Sequence, residues 1–259
     1  MSQHDQNTIR GETMRPRNKK NLEKRLDACS KYLVNDPESK KGNWKGSFKC
    51  VRLEIGCGKG GFITGMAEKN PDVLYVGIEL VRSVIVTAAE KAAAAGVENV
   101  LFVNANALFI EDFFEEGEID ELYLNFSDPW PRDRYHKNRL TSDTFMPLYV
   151  KILKERGCLI QKTDNRDLFD FSLEIYKNYG CEFIRSSYDL HSEPWYGEIA
   201  NVVTEYEERF LSLGVPINYA AVRMPERADI ADKIAACEEN IAKRKAFQSK
   251  ARENKTGTV

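Results

Sequence analysis

Short apolar runs alternate with longer amphipathic stretches through most of this chain, and that alternation sets the first expectation. Runs at 50–55, 73–78, 100–103, 119–126 and 158–162 read as strands. Between them lie helical segments. One over 61–70 is stopped by Asn70-Pro71-Asp72. An alanine-rich one covers 81–95, with Gly96 as its C-terminal cap. A third covers 141–154 before a turn at Gly157, and a fourth covers 165–178 before Gly180. Two late strands are expected at 181–187 and 202–210. The run at 119–126 is apolar enough for burial on both faces. Strand and helix recur in units of roughly 25–30 residues, the pattern of a parallel sheet with helices on both faces. No internal repeat is present.

The two ends break the pattern. Residues 1–13 are polar and aperiodic, and are expected to be disordered. Residues 14–48 are basic at first and then rich in Lys, Gly, Asn and Trp, with one helix expected near 20–33. After Pro225, Ile230, Ile234, Cys237 and Ile241 fall at helical spacing and form a narrow apolar stripe. The organisation expected is a basic arm over 1–48, an α/β domain over 49–225, and a helical tail over 226–259. The tail can be a helix packed on the domain, a dimerising seam or an RNA-touching extension.

Composition narrows the class. The chain has 259 residues, 42% hydrophobic and 30% charged, as expected of a globular protein. No apolar run approaches the roughly 18 residues of a membrane span, and the first ten residues lack a signal core. A cytoplasmic location is the expectation. The six cysteines show no C-x-x-C spacing and the histidines number three, so no metal site is expected. The net charge of −2 argues against a broadly basic nucleic-acid binder. Any RNA contact must be local. Two basic patches qualify, one over 14–31 and one over 132–139 holding Arg132, Arg134, Lys137 and Arg139.

The candidate chemistry starts at Leu53-Glu54-Ile55-Gly56-Cys57-Gly58-Lys59-Gly60-Gly61, a glycine-rich turn after the first strand. Such a turn lets a ligand approach the backbone at the carboxyl edge of a sheet. Gly56, Gly58 and Gly61 also satisfy G-x-G-x-x-G, so a dinucleotide is a rival to S-adenosylmethionine. Glu79, closing the second strand, suits ribose hydroxyls in both cases. Glu54 favours S-adenosylmethionine. A carboxylate there suits a cationic amino-acid end and repels a pyrophosphate. The fourth strand then ends in Asn125-Phe126-Ser127-Asp128-Pro129-Trp130-Pro131, a polar, proline-stiffened loop where a methyl acceptor would sit. It resembles the Asp/Asn-Pro-Pro-aromatic loops of enzymes that methylate amino nitrogens. An amino-nitrogen methyltransferase acting on another nucleic acid or a protein is therefore one alternative. A binding module without turnover is another.

Taken together, Met14-Arg15-Pro16-Arg17, 54–62, Gly77-Ile78-Glu79, 124–132, His136-Lys137-Asn138-Arg139-Leu140, Lys162-Thr163-Asp164-Asn165 and Thr204-Glu205-Tyr206-Glu207 resemble, in order, the bacterial tRNA (guanine-N7-)-methyltransferase family. The resemblance covers 14 to about 225. It implies a Rossmann-like class I methyltransferase fold: a seven-stranded, mostly parallel sheet with helices on both faces and an antiparallel last strand. It implies transfer of a methyl group from S-adenosylmethionine to N7 of the variable-loop guanine of tRNA, position 46 by tRNA convention. Cofactor contacts are implied at Glu54, Gly56, Gly58, Glu79, Asn106 and Asp128, with Asp128 also catalytic. Substrate contacts are implied at Arg132, Asp164, Thr204 and Glu207. Two residues depart from the family pattern. Asn106 stands where an acid is usual, and Arg132 where lysine is frequent. Neither monomer nor homodimer is selected.

Overall fold

The structure is a computed structural model that describes residues 16–256. The expectation of disorder over 1–13 lies outside those residues. Seven strands form one sheet: β1 (Cys50–Ile55), β2 (Val73–Glu79), β3 (Val100–Asn104), β4 (Ile119–Asn125), β5 (Leu153–Thr163), β6 (Glu182–Ser187) and β7 (Asn218–Arg223). Their order across the sheet is β3-β2-β1-β4-β5-β7-β6. The first five run parallel, and β7 runs antiparallel to both β5 and β6. This is the doubly wound architecture expected from the alternation, with the expected antiparallel last strand.

The helices are α1 (Pro16–Ala28), α2 (Gly61–Lys69), α3 (Arg82–Ala95), α4 (Ile110–Phe113), α5 (Met146–Ile152), α6 (Arg166–Asn178), α7 (Glu205–Ser212) and α8 (Ala231–Thr256). Two apolar clusters seal the two faces of the sheet. Ile63, Met66, Ile85, Ala89 and Phe102 lie in one, and Leu53, Val76, Leu124, Tyr149 and Phe169 in the other. Burial on both faces is why β2 and β4 read as nearly continuous apolar runs. Chain order reverses between β1 and β4. A crevice opens there at the strands' carboxyl ends, where open α/β sheets bind ligands.

Three local expectations are corrected. Residues 202–210 are not a strand: Thr204 caps α7, its hydroxyl accepting from Glu207 N at 3.2 Å. The real last strand is β7, whose two central alanines carry little strand propensity. The helix expected over 141–154 shrinks to α5, and β5 begins at Leu153, ahead of Gly157. Ile119 pairs with Leu153 there before a register shift, and Arg156 takes a positive φ of 56°.

Residues 21–48 pack against the domain. Arg25 makes a two-pronged ion pair with Glu90 of α3, both contacts at 2.7 Å. Buried Trp44 donates its indole N–H to Phe113 O at 2.8 Å. Downstream, Ile241 is buried and Ile234 and Cys237 pack beside it, so the apolar stripe of α8 lies on the domain.

Candidate active site

The loop from β1 to α2 is built for close approach. Gly56 and Gly58 have φ of 74° and 55°, left-handed conformations that a side chain would strain. Backbone N–H groups of Gly56 and Cys57 both donate to Ile78 O, at 2.8 and 3.1 Å, which ties the loop to the end of β2. Glu79 then braces the neighbouring turns, accepting from Gly58 N at 3.2 Å and Val81 N at 2.8 Å. Asn106 sits across the crevice, where its side chain accepts from Leu108 N at 2.9 Å and caps a single turn. Gly56, Gly58, Glu79, Asn106, Asp128 and Trp130 line one cavity of about 520 Å³. The sequence-predicted cofactor residues thus converge, except for Glu54, which lies beneath them.

Glu54 is 3% exposed. Its Oε1 accepts from Asn125 Nδ2 at 2.8 Å, while its Oε2 has no hydrogen-bond partner. Burial pushes its carboxyl up to about 8, although Asn125 and the Lys162 ammonium pull the other way. Ionising this buried carboxyl under the glycine loop is costly. It becomes favourable once a cation is placed against it.

Lys162, at the end of β5, forms the rest of the floor. Its Nζ lies 2.6 Å from Glu207 Oε2 and 2.8 Å from Asn201 Oδ1, and 5.0 Å from the centre of the Phe62 ring. The other oxygen of Glu207 meets His191 Nε2 at 2.9 Å. Glu207 and Lys162 are 0% and 2% exposed, so this is a sealed ion pair. Glu207, implied by the resemblance as a substrate contact, has its side chain wholly buried here. Its carboxylate holds Lys162 and closes the floor from below. Thr204 spends its hydroxyl oxygen on the cap of α7.

The rim is different. Asp128 and Arg132 are exposed. Two non-glycine residues with positive φ, Phe126 at 52° and Trp130 at 42°, bend the acceptor loop outward. Strain of this kind persists only where surrounding contacts enforce it. Here Arg139 Nε donates to Pro129 O at 2.8 Å, and its guanidinium lies 4.5 Å from the Phe171 ring centre. Arg139 is buried, which corrects its expected place among the phosphate-gripping cations: it props the loop from inside. Asp164 is half-buried, and burial raises its carboxyl pKa. Tyr206 is 46% exposed and packs against Phe126 with ring centres 4.9 Å apart and planes tilted by 53°. Both Asp164 and Asp128 are close enough to raise the pKa of its phenol, after burial itself. A flat ring therefore stands beside two carboxylates at the mouth of the crevice.

A Rossmann-like sheet with this glycine loop, buried acid and acceptor loop at the switch point defines a class I methyltransferase. The sequence profile of a family described as "Putative methyltransferase" matches residues 49–220. The chain is 47% identical over 192 residues to the tRNA (guanine-N(7)-)-methyltransferase of Bacillus velezensis, covering 73% of this chain and 87% of that one. It is 44% identical over 219 residues to that of Geobacillus kaustophilus, covering 83% of this chain and all of the relative. The chain belongs to the tRNA (guanine-N(7)-)-methyltransferase family. Solved structures agree on the fold. A 16S rRNA methyltransferase superposes with a TM-score of 0.52 at 16% identity, over 71% of this chain and 92% of the other. Among the described residues no helix is long and apolar enough to cross a membrane.

Proposed function

We propose that this protein transfers a methyl group from S-adenosylmethionine to N7 of a guanine in tRNA, the variable-loop guanine, in the cytoplasm, as a monomer or homodimer and without a metal. The observation that carries the reading is the pairing of a buried, half-satisfied Glu54 beneath the glycine loop with an exposed Asp128 across the crevice. The first awaits a cation, and the second faces the place where positive charge would develop. The relatives' names supply the substrate.

The residues present fit the cofactor. Glu54 would take its ammonium end, the backbone at Gly56 and Gly58 would approach its amino-acid portion, and Glu79 would hold ribose hydroxyls. Asn106 would meet the adenine through its amide, which accepts from an amino group through its carbonyl as an acid would. The bound cofactor supplies an electrophilic methyl group on a sulfonium. Guanine N7 has an exposed lone pair and no proton to lose, so no strong general base is required, only alignment. Asp128 supplies a fixed negative charge beside the ring as it becomes cationic. Asp164 can accept from guanine's N1 and N2 donors, and the Tyr206 ring offers a stacking surface. Arg132 and Lys137, both exposed, would hold phosphates; such contacts position RNA without reading it.

Incubation of the protein with unmodified tRNA and labelled cofactor, followed by nucleoside analysis, tests this directly. 7-Methylguanosine is the expected product. A methylated amino nitrogen would move the protein to a different reaction. Cofactor and tRNA binding without any product would make it a binding module.

A further inference from the structure

The C-terminal helix lies beyond the family profile, which ends at residue 220. Its beginning is firmly hooked. Arg227 Nη2 donates to Leu153 O at 2.6 Å, and its Nη1 pairs with Glu155 at 2.7 Å. Lys151 of α5 meets Glu238 at 2.6 Å, and Ile241 is buried against the domain. These contacts dock the helix but lie away from the crevice.

One turn further on, two consecutive side chains diverge, Arg244 to a wall of the crevice and Lys245 to α4 beside it. Arg244 Nη1 donates to Lys137 O at 3.0 Å and to Thr144 Oγ1 at 2.6 Å, while its Nη2 donates to Asn138 Oδ1 at 2.8 Å. Lys245 Nζ pairs with Asp112 at 3.2 Å and lies 5.6 Å from the centre of the Phe109 ring. Arg244 itself lines the 520 Å³ cavity, with Asn106 and Leu108 from one wall and Asn138 and Leu140 from the other. Three acceptors converge on one planar fork, an arrangement that suits arginine and that a lysine cannot reproduce. The wall it grips, 137–144, also contains Arg139, the prop of the acceptor loop at Pro129.

We propose that Arg244 is a positioning residue for cofactor binding: from α8 it fixes segment 137–144 as a wall of the cofactor crevice, while Lys245 anchors the helix to α4 at Asp112, just beyond the facing wall at 105–108. The tail is thus a strap across the cofactor site. This inference rests on the reading of the crevice as an S-adenosylmethionine site. Without Arg244 the 137–144 wall loses all three donors together. The crevice would then bind cofactor more weakly while the sheet beneath it stays folded.

Calorimetric titration of the full chain with S-adenosylmethionine, alongside the thermal midpoint without cofactor, separates the possibilities. Arg244→Ala is expected to raise the cofactor Kd by about tenfold, the scale of a lost set of charge-assisted hydrogen bonds. Arg244→Lys should recover part of that loss. Glu238→Ala, which cuts only the helix's ion pair with Lys151 outside the crevice, should leave the Kd alone, with any change confined to the thermal midpoint. Wild-type binding with an Arg244→Ala Kd within twofold of it, or equal Kd shifts in Arg244→Ala and Glu238→Ala, overturns the strap. Should Arg244→Ala fail to fold, Arg244→Lys decides: a Kd equal to wild type overturns the proposal, and a weaker one supports it. A wild-type chain that does not bind S-adenosylmethionine overturns the functional reading itself.

Discussion

The floor and the rim of the crevice are built from the same residue types to opposite ends. On the floor, Glu54, Asn125, Lys162 and Glu207 are all buried, and the last two are locked in a sealed ion pair. On the rim, Asp128, Arg132 and Lys137 stand exposed. A buried charge is expensive to create and expensive to strip of its partner. An exposed one costs almost nothing to hold and is available to a large polyanion. The floor is therefore where function is bound up with folding, and the rim is where function can be changed with the fold intact.

The largest effect that would test this contrast falls on the floor. Glu207→Ala leaves the Lys162 ammonium buried without its carboxylate, and is expected to destabilise the protein by about 3–5 kcal/mol. Denaturant unfolding measures it. Replacing both partners by apolar residues, Lys162→Met with Glu207→Leu, should restore much of the stability, because no uncompensated charge remains. If Glu207→Ala unfolds at the wild-type midpoint, the pair is not holding the floor. On the rim, Asp128→Ala should reduce methyl transfer by roughly 10²–10³, the usual consequence of removing one preorganised electrostatic group, with no loss of stability. A fall in unfolding free energy matching the fall in rate would erase the distinction between the two regions.

Glu54 belongs to the floor yet serves the ligand, and its titration sharpens the comparison. Burial holds its carboxyl protonated in the empty folded protein up to about 8, against an ordinary value of 4.5. The unfolded chain gives up that proton near the lower value. Between the two, the folded state binds more protons than the unfolded one, so the contribution to stability is full below about 4.5 and is lost as pH rises towards 8. Glu54→Gln should flatten that decline and make the empty protein more stable at neutral pH. It should also weaken cofactor binding. Binding a cationic end demands the ionised carboxylate, so wild-type binding at pH 7 should release a proton. The enthalpy measured in buffers of different ionisation heat reports this, and the release should vanish in Glu54→Gln.

What the sequence showed of all this follows the range of the interactions. The glycine loop, Glu79 and the 125–131 loop were legible because each is a local arrangement of neighbours with its own turn chemistry. The N-cap at Thr204, whose hydroxyl accepts from Glu207 N, was equally local. It marks the start of α7, and the apolar and aromatic residues over 202–210 masked it as a strand. β7 was hidden because Ala220 and Ala221 are sheet residues only by virtue of β5 and β6 on either side. Leu153-Lys154-Glu155 favour helix by propensity; pairing with β4 and the grip of Arg227 on Leu153 O make that stretch the start of β5. No short-range pattern links Lys162 to Glu207, or Arg244 to Asn138. Those contacts exist only once the sheet has brought distant segments together, which is why the partners of Glu207 and Arg244 could not be read from the sequence.

The smallest expected effects lie on the rim's cations, and they separate Arg132 and Lys137 from Arg139 although all three sit within eight residues. If Arg132 and Lys137 each neutralise one phosphate, Arg132→Ala and Lys137→Ala should each weaken tRNA binding across all sequences and reduce its salt slope by about one. Arg139 is buried against Phe171 with its Nε on Pro129 O, so it has little charge to offer RNA. Arg139→Ala should leave the salt slope unchanged and instead lower the methyl-transfer rate, by releasing the strained loop that presents Asp128. Binding titrations of the three variants over a range of salt, paired with single-turnover rates, place each residue. A reduced slope for Arg139→Ala would put its guanidinium at the RNA surface, and an unchanged slope for the other two would remove them from it. Charge alone grouped these arginines and lysine into one patch, and burial divides them into a surface that grips RNA and an internal prop that aims the loop.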